Sequence, residues 1–94
     1  MEISFNSEKR EEVLRERGLD LADASKLLSG LCFEMQDDRF DYGEDRWISV
    51  GMLNGEVVVC VWADWGNDHV RVITMWRAEP ADRRRYYEYL ASLL

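Results

Sequence analysis

Residues 46–63 read RWISVGMLNGEVVVCVWA. Arg46 to Leu53 and Glu56 to Ala63 are strand-like runs, and between them stands Asn54-Gly55, the dipeptide best able to take the positive φ angles of a tight hairpin turn. The stretch predicts an antiparallel hairpin, and its neighbours follow from it. On the C-terminal side, DWGND at 64–68 predicts another turn, Val70 to Trp76 a further strand, and Pro80 the first turn of a final helix running to about Leu93. On the N-terminal side, DDRFDYGED at 37–45 is a loop. Before it, Leu31, Phe33 and Met35 alternate with Cys32, Glu34 and Gln36, the period of a half-buried strand. Asp20 suits the cap of a helix reaching about Ser29, in which Leu21, Ala24, Leu27, Leu28 and Leu31 form one stripe and which Gly30 ends. Asn6 or Ser7 suits the cap of a helix from Glu8 to Arg17, stopped by Gly18, and Ile3 to Phe5 form an extended start. The expected order is β-α-α-β-β-β-β-α. The expected class is α+β, an antiparallel four-stranded meander with two N-terminal helices and one C-terminal helix covering one of its faces.

A chain of 94 residues that is 47% hydrophobic has the size of a single domain, 1–94, with one core. Its longest apolar run, Val57 to Ala63, falls far short of the ~20 residues that span a bilayer. The start, MEISFNSEKREE, has no basic end followed by an apolar stretch. A soluble, cytoplasmic protein with no membrane partner is expected. Cys32 and Cys60 lie in strand-like runs without metal-ligand spacing, so they read as buried reduced thiols, and neither a metal nor another cofactor is expected.

The net charge is −7, yet it is sorted: residues 71–94 carry five arginines against three acids, while residues 1–70 carry seven bases against sixteen acids. Gross acidity argues against nonspecific attraction to nucleic acid. A local patch is another matter. RRRYYEY at 83–89 combines guanidinium forks, which match phosphate oxygens, with tyrosine rings able to stack on bases, although a solvated helix face has the same composition. Strict alternation in Val70 to Arg77 places Arg71, Ile73, Met75 and Arg77 on one face, and helical spacing sets Arg83 and Tyr86 at the border of core and solvent, with Leu90 and Leu93 inward. Glu44 and Arg46, at a strand start, read as a surface ion pair or as a carboxylate and guanidinium presented at a sheet mouth. His69 reads as a surface residue, and Trp62, Trp65 and Trp76 as core or interface.

Three segments, ISFNSEKREEVLRERGLDLADASKLL, GEDRWISVG and RVITMWRAEPADRRRYYEYL, together resemble the BrnT family, toxins of bacterial type II toxin-antitoxin modules. The most specific parts are Glu44, Arg46, Trp47, Ile48 and Gly51, and the junction Arg71, Val72, Ile73, Arg77, Ala78, Asp82, Arg83, Tyr86. The resemblance implies a RelE-like fold, endoribonuclease activity that inhibits translation, and neutralisation by a BrnA-like ribbon-helix-helix antitoxin, through which alone operator DNA would be bound. Where the family usually reads ISARRA, this chain has Trp76 in place of the first arginine.

Metal-free RNA cleavage requires a base for the 2'-hydroxyl, a cation for the phosphate and a donor for the 5'-oxygen. Guanidinium cannot be the base. On the matching motif positions, the expected catalytic set is Glu44 as base, Arg46, Arg77 and Arg83 at the phosphate and Tyr86 at the leaving group, with Arg71, Thr74 and Arg84 binding RNA. A second reading, suggested by Trp76 and the net acidity, is a catalytically weakened, antitoxin-binding regulatory module. A third joins copies of the chain through Trp65 and the strand edges.

Overall fold

In the computed structural model, which describes residues 1–39 and 41–94, Asn54 and Gly55 take φ values of 51° and 81° and join two long strands. These are β3, Arg46–Leu53, and β4, Glu56–Asp64, paired antiparallel from Arg46↔Ala63 to Leu53↔Glu56. The hairpin is the centre of the sheet. β2, Cys32–Gln36, pairs antiparallel with β3, and β5, His69–Arg77, pairs antiparallel with β4. The four-stranded meander gains one member: the extended start is β1, Glu2–Phe5, which pairs parallel with β5, so the sheet is five-stranded and mixed, in the order β1-β5-β4-β3-β2. A parallel partner needs a crossover, and the N-terminal helices supply it.

α1, Ser7–Arg17, is capped by Asn6, whose side chain accepts from the Lys9 N–H, and ends at Gly18, at φ 67°, whose N–H bonds to the Leu14 carbonyl. The second helix is shorter and more irregular than its stripe predicts. Asp20 caps a 3₁₀ turn, Leu21–Asp23, which leads into α2, Ala24–Leu28. The same Asp20 carboxylate takes a two-bond fork from Arg10 at 2.8 and 2.9 Å, tying the turn back to α1 and lowering the carboxyl below its usual range.

The helices lie on both faces of the sheet. Val13, Leu21, Ala24 and Leu27 pack with Val58, Cys60, Val72 and Met75 on one face. On the other, α3, Pro80–Ser92, sets Tyr86 against Val50, Val57 and Val59, with Tyr89, Leu90 and Phe33 at the edge. β4 serves both cores because its residues alternate, Val58 and Cys60 one way and Val57 and Val59 the other. That is why the sequence there is an unbroken apolar run: neither face of β4 meets water. At the end of α3, Leu93 is exposed rather than inward.

β5 does not alternate throughout. Pairing steps from Val61↔Thr74 to Trp62↔Val72, leaving Ile73 as an extra residue in a β-bulge. Val72 and Met75 therefore both face α1 and α2, while Arg71 and Arg77 end on opposite faces. Regular alternation had put those two arginines together.

Candidate functional site

On its face of the sheet, α3 lies mainly against β2 and β3, with Tyr86 reaching Val57 and Val59 of β4. Toward β5 the same face carries side chains that stay partly accessible, Arg71, Ile73, Thr74 and Trp76. One cross-strand row runs through this open half: Arg46 pairs with Ala63, Ala63 with Arg71, and Arg71 with Ser4. Directly paired residues share a face, so two guanidinium-bearing strands flank a strand bearing only a methyl group, with the arginine backbones ~10 Å apart across two strand spacings. The small Ala63 side chain leaves room above it.

A chain of contacts spans the row. Arg46 Nε donates to Glu44 Oε2 at 3.2 Å, and its guanidinium lies 4.0 Å from the centre of the Tyr42 ring. Trp65 Nε1 donates to the other Glu44 oxygen at 3.4 Å. The Trp65 ring in turn meets the Arg71 guanidinium at 5.0 Å and the His69 ring at 5.4 Å. His69 Nε2 is 2.8 Å from Ser4 Oγ, which also accepts from Arg71 at 3.3 Å. The approach to β3 is anchored by Asp37, whose buried carboxylate holds the Arg39 fork at 2.7 and 2.9 Å and whose N–H bonds to the Arg46 carbonyl. The hydrogen bonds from Arg39, outweighing burial, hold the Asp37 carboxyl below its ordinary range. Together these residues offer two cations for an anion, a carboxylate and an imidazole for proton transfer, and an indole.

The remaining expected site residues lie elsewhere. Arg77 sits five pairs along the strands from the Arg46 row, ~17 Å away, and on the opposite face. Its Nε donates to Glu56 at 3.0 Å and its Nη1 to the Arg17 carbonyl. Arg17 itself reaches the open edge of β5, donating to Thr74 Oγ1 at 3.0 Å and the Met75 carbonyl at 2.8 Å. Arg83 donates to the Ala78 carbonyl at 2.8 Å, and Arg77, Arg83, Glu56 and Tyr87 border a cavity of about 200 Å³. Tyr86 is not at the border: only 3% exposed, it donates its hydroxyl to the Leu31 carbonyl, and burial raises its phenol above the usual range. Arg84 is exposed on α3.

Structure thus brings Glu44, Arg46 and Arg71 together, and separately Arg77 and Arg83 at the cavity, while Thr74 is held by Arg17; the two sets are not joined. Ser4, Trp65 and His69 were missed as site residues because their partners are distant in the chain: Ser4 meets His69 and Arg71 across 65 and 67 positions, and Trp65 meets Glu44 across 21. The only signal available was that Trp65 and His69 bracket a Gly-Asn-Asp turn next to Arg71. Among the described residues, no group of three or more His, Cys, Asp or Glu side chains is arranged to hold a metal ion. Likewise, no helix built from them is long and apolar enough to cross a membrane.

A sequence profile described as "Ribonuclease toxin, BrnT, of type II toxin-antitoxin system" matches residues 5–82. The crystal structure of the Brucella abortus ribonuclease toxin BrnT is similar to this chain, with a TM-score of 0.62 and 27% sequence identity over 84% of this chain and 97% of that one. No curated protein matches. With five-sixths of its length inside the family profile and an α+β fold that superposes on a solved member, the chain belongs to the BrnT family of ribonuclease toxins of type II toxin-antitoxin systems, a membership that implies an antitoxin partner.

Proposed function

We propose that this chain is a metal-independent endoribonuclease whose reacting centre is the open half of the sheet between Arg46 and Arg71. The observation that supports it most is the row Arg46–Ala63–Arg71–Ser4, with Glu44 and His69 beside it. A phosphodiester lying over Ala63 would meet a guanidinium on each side, and these supply the charge that stabilises the phosphorane as it forms. Glu44 takes the proton from the 2'-hydroxyl. The 2'-oxygen then bonds to phosphorus, the bond from phosphorus to the 5'-oxygen breaks, and His69 gives a proton to the departing oxygen. The products are a 2',3'-cyclic phosphate and a 5'-hydroxyl. Arg77, Arg83, Arg84 and Tyr86 stand outside the reacting centre in this reading, which departs from the role that sequence resemblance gives them.

Acting in the cytoplasm on a RelE-like scaffold, such an enzyme would inhibit translation until a BrnA-like ribbon-helix-helix antitoxin neutralised it and carried the complex to operator DNA. The test is cleavage of a defined RNA by purified protein, with the product ends identified. Arg71→Ala is expected to lower the rate roughly 10²- to 10³-fold, and Arg77→Ala to leave cyclic-phosphate formation near the parent level. Equal losses in both variants would overturn the placement.

A second reading is favoured by Trp76 at the family's arginine position and by the carboxylates already paired with Arg46 and Arg77. It makes the chain an antitoxin-binding regulatory module. Growth arrest on induction, relieved by the antitoxin, supports the nuclease; unchanged growth with a tight complex supports the module.

A further inference from the structure

Trp65 is 53% exposed, whereas Trp47, Trp62 and Trp76 are all at least half-buried. An indole left this open forgoes much of its burial energy, yet it is not loose. Its Nε1 is bonded to Glu44, its ring is met by the Arg71 guanidinium at 5.0 Å, and the His69 ring tilts against it at 58°. Every one of those contacts is a residue of the reacting centre. The backbone presenting it is also fixed. Gly66, Asn67 and Asp68 all have φ between 53° and 81°, the Trp65 N–H bonds to the His69 carbonyl, and the Gly66 N–H bonds to Asp64 Oδ1. Three successive left-handed residues, two of them not glycine, are an uncommon way to turn between strands.

We infer that Trp65 is a stacking platform for an unpaired nucleobase adjoining the scissile phosphate, so that the substrate is single-stranded RNA. This rests on the reading of the Arg46–Arg71 centre given above. An aromatic ring beside two guanidinium groups matches a nucleotide, which offers a π-face and an anion together, and stacking recognises any base because every base has such a face. Duplex RNA hides its base faces and gains nothing from the indole. The preference is therefore for strandedness more than for sequence.

The probe is a short 2'-O-methyl RNA, which cannot undergo attack by its 2'-oxygen, in single-stranded form and annealed to its complement, with binding read by fluorescence anisotropy. Trp65→Ala is expected to weaken single-strand binding roughly 10- to 100-fold, Trp65→Phe to restore most of it, and duplex binding to change little in either. Thermal melting of each variant separates a folding defect from a binding one. If Arg71→Ala loses single-strand binding while Trp65→Ala does not, the stacking role is overturned and the reacting centre stands. If neither variant loses it, the centre itself is misplaced. If Trp65→Ala keeps RNA binding but loses the co-expressed antitoxin or self-association, the indole serves a protein interface and the inference fails.

Discussion

At the scale of single residues, the motif positions Glu44, Arg46 and Arg71 were legible because they bracket recognisable strands, and folding places them in one network. Tyr86 was legible as important but not in kind: its ring fills the core and its hydroxyl satisfies the Leu31 carbonyl, a partner that helical spacing cannot reveal. Asp37, read only as part of a polar loop, is the carboxylate that anchors that loop. Its folded-state carboxyl lies below the unfolded value of ~3.9. The unfolded chain thus binds the proton more tightly, so the stabilisation is complete above that value and disappears as pH falls through the folded one. Asp37→Asn should lower stability at neutral pH by about 1–2 kcal/mol. In urea titrations, the gap between parent and variant should be flat from pH 5 to 8 and close below about pH 4. A gap that persisted undiminished in acid would remove this carboxylate from the account.

At the scale of elements, the hairpin, α1 and α3 were readable from turn chemistry and capping, because those signals are local. The bulge was not. Period-two counting through Val70 to Arg77 has no term for an extra residue, so it joined Arg71 to Arg77, and the error carried into the expected phosphate site. The parallel pairing of β1 was hidden for a related reason, since four residues of extended chain give no hint of a partner found 67 positions later. Because Ile73 is the supernumerary residue, deleting it keeps Val72 and Met75 on one face and Arg71 on the other. The shortened chain should fold, with circular dichroism like the parent's and a stability loss within about 3 kcal/mol. Deleting Val59 from β4 instead turns half of a doubly buried strand over and should abolish folding. The two deletions differ by position alone, so thermal melts of both variants give a direct reading of where the register steps.

For the molecule as a whole, the acidic majority and the arginine-rich tail do not form separate lobes. Glu56 pairs with Arg77 and Glu44 with Arg46, so acidic residues from earlier in the chain stand beside two of the arginines. The cations bordering the proposed reacting centre are Arg46 and Arg71, and two phosphate contacts on single-stranded RNA would give a logarithmic salt slope of about −1.4. A slope of −4 or steeper in binding measured from 50 to 300 mM salt would mean that α3 contributes its arginines as well. The position of β1 has one more implication. Ser4 belongs to the second residue pair from the end of the parallel ladder, and Arg71 to the strand that is made last. Since a chain emerges from its N-terminus, the first strand must wait for the fifth before it can dock. A half-synthesised chain, or any fragment lacking its last third, therefore cannot bring Ser4 beside Arg71.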